Sequence, residues 1–379
     1  MKAKSIKGKS TKEIYTALEE SMQDGFRPTL AIVFFSISHD REELCNILDS
    51  HDISIFGATT HGEFIDEVTE TGSIAILLLA INKSSFKIMF EEYPERNYRE
   101  ITQNIARKSL GLFSTPAFLI ASSNMNINPE ELLLGFSDVV GESVNVFGGM
   151  AGDEQAFKEQ FVITNGKSSN NGLVVLVLDE DKLEIKGVAT CGWKAVGTEK
   201  TVTKSEGNHV FTVDDIPVLD LTIKYGGLDD LKEDNIEQAI EIGTNFPLQL
   251  QRETGNPVMR PGLRIDWNDH SFYCSGPVPQ GSKVRFSLPP DFDVVDKVIN
   301  ELEKLKNNEM PEADALVVFS CAGRIFALGP LMNKEIEGIR GTWEVPMAGM
   351  FSTGELARAT GGNLEMHNLT TCCIALKEK

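Results

Sequence analysis

Three stretches of the chain share one alternation of apolar and polar segments. Each begins with an apolar run rich in β-branched and aromatic residues: "TLAIVFFS" (29–36), "AFLIASS" (117–123) and "ALVVFS" (315–320). Runs of this length, each closing in Ser, predict buried strands. An amphipathic stretch follows each: "DREELCNILDS", "NPEELLLGFSDVVG" and "PLMNKEIEGIRG". These predict helices, with Asp40 and Asn128 as N-caps of the first two. A second short strand ending in Gly comes next ("ISIFG", "VNVFGG", "VPMAG"), then a glycine loop, then another buried-type strand at 73–81, 173–179 and 370–377. In the first two stretches a tight turn leads to a further strand, "SSFKIMFEEY" and "KLEIKGVATCGW". The pattern predicts a repeated strand-helix-strand-hairpin unit, hence an α/β fold with mixed sheets.

Residues 244–290 break this pattern and read as short strands, with "DWNDHS" as a hairpin turn. The stretch "DFDVVDKVINELEKLKNN" has helical periodicity and precedes the third unit. A polar, glycine-bearing and acidic segment, "KYGGLDDLKEDN", predicts a domain boundary near 225–243. Two units then fall in an N-terminal domain (25–230) and one in a C-terminal domain (231–379).

Charge narrows the function classes. The 379 residues carry 36 basic and 56 acidic side chains, a net charge of −20. Such a polyanion is repelled by nucleic acid and by anionic membranes, which excludes both as main partners. The start, "MKAKSIKGKSTK", is locally basic and reads as part of a solvated, flexible tail over residues 1–24. It lacks the apolar centre of a signal peptide, and no apolar run approaches the ~20 residues of a membrane span. The six cysteines show no disulfide framework, and adjacent Cys372 and Cys373 face opposite sides of a strand. A reduced, cytoplasmic protein is expected.

The glycine loops are the candidate chemistry. "GATTHGE" (57–63) and "GMFSTGE" (349–355) share the order Gly, two residues, Thr or Ser, one residue, Gly-Glu. The second loop, "FGGMAGDE", also sets a carboxylate after Gly. At the carboxyl ends of parallel strands such loops lie where open α/β sheets bind ligands. Glycines there expose backbone N–H groups to an anionic group, and a carboxylate meets an ammonium or hydroxyl. The candidate residues are Gly57, Thr60, Gly62 and Glu63; Gly149, Gly152 and Asp153; and Gly349, Ser352, Gly354 and Glu355. The same loops can equally be tight strand connections with Glu bonding backbone N–H groups. "FSCAGR" adds Ser320, Cys321 and Arg324, and "EMHN" adds His367 and Asn368. Arg324 suits a ligand carboxylate or a neighbouring acid. A Cys321–His367 nucleophile pair, with Glu355 as third member, would make a hydrolase or transferase. A non-binding scaffold is the remaining alternative. The histidines and cysteines form no metal-ligand spacing, and no cofactor is expected.

The ordered set of these motifs resembles the FIST family. It is carried by "GATTHGE", "FGGMAGDE", "FVITNGKSSNNGLVVLVL" and "GVATCGWKAVGTEKTVTKSEGNHVFTVDDIPVLDL", then by "PVMRPGLRIDWNDHSFYCSGPVPQGSKVRF", "FSCAGRIFALG" and "PMAGMFSTGELA". The resemblance implies FIST N-terminal and C-terminal domains and a sensory role in signal transduction. It implies binding of a small polar ligand such as an amino acid. No output module accompanies the motifs, so the signal would pass to a downstream partner protein. Neither the residues nor the resemblance supplies a convincing catalytic set.

Overall fold

The computed structural model describes residues 1–93, 97–124, 126–154, 158–228 and 236–379. The chain opens with β1 (Lys2–Gly8) and α1 (Thr11–Met22). The first unit follows as β2 (Leu30–Phe35), α2 (Arg41–Asp49), β3 (Ser54–Thr59), the hairpin β4 (Glu63–Ile65) and β5 (Val68–Glu70), then β6 (Ile74–Ala80). β7 (Phe86–Glu92) and α3 (Tyr98–Leu110) lead to the second: β8 (Pro116–Ser122), α4 (Pro129–Val140), β9 (Val146–Met150), β10 (Val162–Thr164), β11 (Lys167–Ser169) and β12 (Gly172–Asp179). β13 (Leu183–Thr190) then leads the chain into a separate eight-stranded sheet formed by β14 to β21, between Ala195 and Ser287. That sheet includes β18 (Val258–Arg260), and α5 (Val218–Gly226) and α6 (Ile236–Asn245) accompany it. The third unit is α7 (Val294–Asn308), β22 (Ala315–Cys321), α8 (Ala322–Leu328), α9 (Leu331–Trp343), β23 (Met347–Ser352), β24 (Glu355–Arg358), β25 (Leu364–His367) and β26 (Thr371–Glu378).

Three six-stranded sheets follow one order: β1-β6-β2-β3-β10-β11, β7-β12-β8-β9-β24-β25 and β13-β26-β22-β23-β4-β5. Each holds one parallel pair, joined through one helix in the first two sheets and through α8 and α9 in the third, and its other pairings are antiparallel. The small hairpins are exchanged in a ring. The first unit's β4–β5 joins the third sheet, the second's β10–β11 joins the first, and the third's β24–β25 joins the second. The strand after each tight turn also leaves its unit. β6 already bonds β1 and β2 along both edges, so β7 pairs with β12 in the neighbouring sheet.

The core explains the continuous apolar runs. Leu30, Ile32 and Phe34 meet Leu119, Leu176, Val317, Phe319 and Ile374 in one central cluster shared by the three sheets. Phe34 and Phe319 meet edge to face there, 5.5 Å apart. The alternate residues of the same strands pack outward beneath the helices: Ala31, Val33 and Phe35 in one cluster, Phe118 and Ile120 in another, Leu316 and Val318 in a third. Strands buried on both faces cannot alternate apolar with polar. Asp40 and Asn128 cap α2 and α4 by accepting from the Glu43 and Glu130 N–H groups.

The basic start is not a loose tail. Lys2–Gly8 pairs along its whole length with β6, and Ile14 and Leu18 of α1 are fully buried. Its lysines lie on exposed or half-buried positions, and Lys4 Nζ donates to Ser21 O and Asp24 Oδ2, both at 2.7 Å. The Met1 ammonium ion-pairs with Asp314 (3.0 Å) and Glu378 (2.8 Å), which brings the first and last strands together. The expected boundary at 230/231 lies outside the described residues.

Candidate functional site

The three glycine loops converge on one another. His61 N donates to Phe351 O (2.9 Å), and Phe351 N donates to Gly62 O (2.8 Å). Met150 N donates to Gly354 O (2.8 Å), Thr353 N to Met150 O (3.1 Å) and Gly152 N to Thr59 O (2.8 Å). A side-chain chain runs through the same point. Thr353 Oγ1 donates to Ala151 O (2.8 Å), so it accepts from His61 Nε2 at 3.0 Å. Burial pushes the His61 pKa down to about 4.

The glycines make this convergence possible by leaving room. A Cβ on Gly349 would lie 2.1 Å from the Phe64 ring, and one on Gly152 would lie 2.6 Å from His61 N. Gly57 and Gly149 back onto Ile163 and Phe319 in the same way, and Gly354 onto Met366. Their close approach is to neighbouring strands of this chain.

The loop carboxylates are buried. Glu63 accepts from the Thr60 hydroxyl, from Ser73 N (3.2 Å) and from Ser73 Oγ (2.8 Å). Desolvation raises its pKa to about 7. Glu355 accepts from Ser352 Oγ at 2.6 Å, while its Oε2 is buried without a hydrogen-bond partner. Burial holds it well above the ordinary carboxyl range. Asp153 takes the Lys158 and Glu159 N–H groups.

Arg324 meets an acid of its own chain. Its guanidinium, on the first turn of α8, forms a bidentate pair with Glu335 of α9, and both side chains are wholly buried. Glu335 also accepts from Thr371 Oγ1 (2.7 Å), whose hydroxyl lies 3.2 Å from Ser320 Oγ. Arg324 Nη1 donates to Cys191 O and Leu369 O, both at 2.8 Å, and the guanidinium sits 5.1 Å from the Trp193 ring centre. One cation thus ties the end of β13 to the turn between β25 and β26.

A cleft of about 370 Å³ opens between those two segments. Cys191 and Trp193 form one wall, His367 and Thr370 another, Met259 of β18 a third, and Lys297 of α7 the rim. Lys297 Nζ donates to Gly192 O (3.1 Å). Leu369, between the two wall residues of the turn, has φ +52°, a left-handed conformation uncommon for Leu and found at functional sites. Among the expected residues His367 lines this cleft, and Arg324 and Asn368 lie behind it. Asn368 Oδ1 accepts from buried Arg260 (3.3 Å), while its Nδ2 has no hydrogen-bond partner. Arg260 in turn reaches Glu130 of α4 (3.3 Å). Trp193, Met259 and Lys297 were not singled out from the sequence. The signal for Trp193 was its place just past the carboxyl end of a strand.

The cysteine pair does not form. Cys321 is buried, and burial together with Glu355 pushes its thiol pKa up, the reverse of an activated nucleophile. His367 Nε2 is taken by Ala357 O (3.1 Å). Among the described residues no cluster of three His, Cys, Asp or Glu could hold a metal ion, and no helix is long and apolar enough to cross a membrane.

Comparison with known families places two domains on the chain. Residues 29–216 match the FIST N domain and residues 228–358 match the FIST C domain. Cys191 and Trp193 of the cleft lie in the first match, and Met259 and Lys297 in the second. No curated protein was found to match the chain.

Proposed function

The chain belongs to the FIST family, and on that premise we propose that it is a cytoplasmic sensory protein that binds a small polar metabolite, such as an amino acid, in the cleft beside His367. FIST domains are described as sensory domains that bind small ligands. The observation that carries the reading is the composition of the cleft: walls from both FIST domains, tied behind by one buried Arg324. A ligand held there contacts both domains at once, so its binding energy favours one relative placement of their walls. The cleft also mixes an aromatic surface with a few convergent polar groups, as small-molecule sites do. The signal then passes by contact to a downstream protein. The threefold sheet order is read as an internal repeat, with the glycine loops as its joints and the cleft as a feature of the third unit.

The test is a thermal-shift screen of extensively dialysed protein against amino acids and small carboxylic acids. A ligand at 100 times its Kd stabilises by about 2.7 kcal/mol. A selective shift that Trp193→Ala abolishes supports the reading. A flat panel, or a shift indifferent to Trp193→Ala, counts against it.

A further inference from the structure

His367 has a fixed chemical polarity. Its ring is 3 % exposed, and Nε2 lies 3.1 Å from Ala357 O. A carbonyl oxygen only accepts, so Nε2 carries a proton. Burial and the neighbouring Arg260 cation hold the ring neutral. A neutral imidazole with a proton on Nε2 has a bare lone pair at Nδ1. No group among the described residues donates to it. The ring is also part of the cleft wall. Nδ1 is not fully enclosed, so water or an occupant of the cleft supplies its donor.

The opposite requirement stands at the rim. Lys297 brings an ammonium to Gly192 O, with Asp293 3.7 Å away, and Lys304 lies further along the same helix, paired with Glu301 at 2.6 Å. The cleft therefore offers an acceptor in its wall and the Lys297 ammonium at its mouth, while Lys304 and Glu301, which both line it, offset one another.

We infer that His367 is the specificity-determining residue of this cleft: Nδ1 accepts an N–H or O–H group of the occupant, while the occupant's negative charge faces Lys297. The ligand class is then small 2-amino or 2-hydroxy carboxylic acids, with plain carboxylic acids rejected. This rests on the cleft being the ligand site. A site built around a hydrogen bond discriminates strongly against an analogue that lacks the group, because the buried partner is left unpaired.

The test uses two matched series: L-alanine, L-lactate and propionate; and L-glutamate, 2-hydroxyglutarate and glutarate. Calorimetric titration of the full chain should show the amino or hydroxy member of a series binding about tenfold or more tighter than the plain acid. In His367→Gln the amide nitrogen can take the place of Nε2 and still donate to Ala357 O, while no atom stands at the Nδ1 position. The preference should fall to near unity there. Equal binding of the plain acid to the unaltered protein, or a preference that survives His367→Gln, overturns the assignment and leaves the cleft reading in place. No binding of any of the six overturns the ligand class; a flat wider screen overturns the cleft reading as well. Nitrogen-15 spectra of the histidine rings add a check that needs neither ligand nor variant. An unprotonated Nδ1 on His367 supports the assignment, and a protonated one overturns it.

Discussion

The loops at 57–63 and 349–355 have the same spacing and reach equivalent places in their sheets, yet their surroundings differ. Glu63 is satisfied on both oxygens by Thr60 and Ser73. Glu355 holds one firm bond, from Ser352, and lies against Cys321 at the end of the strand that leads to Arg324. Beyond each of the two loops the chain continues into a hairpin on a foreign sheet. After the third unit's hairpin comes the cleft turn, with Leu369 at positive φ and its carbonyl on Arg324. One motif thus serves as a structural joint in one unit and stands beside a candidate site in another. The motif is a device for bringing strands together, and the chemistry comes from what each unit places behind it.

The largest effect should come from the third region. Arg324→Met strands the buried Glu335 carboxylate and should cost about 3–5 kcal/mol in urea unfolding. The double change Arg324→Met with Glu335→Leu should recover most of this, because neither buried charge remains.

The two glutamates come next, and pH reads both. Folded Glu63 keeps its proton up to about pH 7, while the unfolded chain releases it near 4.5. Its contribution is therefore full below pH 4.5 and lost as pH rises through about 7. Glu63→Gln should match the unaltered protein at pH 4 and gain up to about 3 kcal/mol by pH 8, levelling off there. Burial holds Glu355 well above the ordinary carboxyl range, so Glu355→Gln should likewise gain on the unaltered protein as pH rises above 4.5. A difference from the unaltered protein that does not change with pH in either variant would contradict this account.

Thr353→Val breaks the link from His61 to Ala151 where the loops meet, and should cost about 2 kcal/mol in chemical unfolding. Ser10→Ala removes the cap whose side chain accepts from Glu13 N, and should cost about 1 kcal/mol. A tail would show no change.

The local pattern made most elements legible. The strands, the principal helices and the caps Asp40 and Asn128 stand where period and capping chemistry put them. Cys372 faces the central core and Cys373 the outer one, as neighbours on a strand must. What the pattern could not carry was partnership. Nothing local to 63–70 says that this hairpin pairs with a strand at 347–352. The alternation of residues 2–8 is a strand signal that its lysines disguise as a tail. The choice for Arg324 between a ligand carboxylate and a neighbouring acid stayed open because Glu335 comes within reach only through the packing of α8 and α9. The cleft draws Trp193, Met259, Lys297 and His367 from four separated segments.

The central claim is that the ligand sits between the end of β13 and the 367–370 turn. Amide hydrogen exchange, with and without the strongest stabiliser from the screen, tests it most directly. Added protection at 189–193 and 367–370, with 57–63 unchanged, is the predicted result. Protection at the 57–63 loop with none at 189–193 would contradict it.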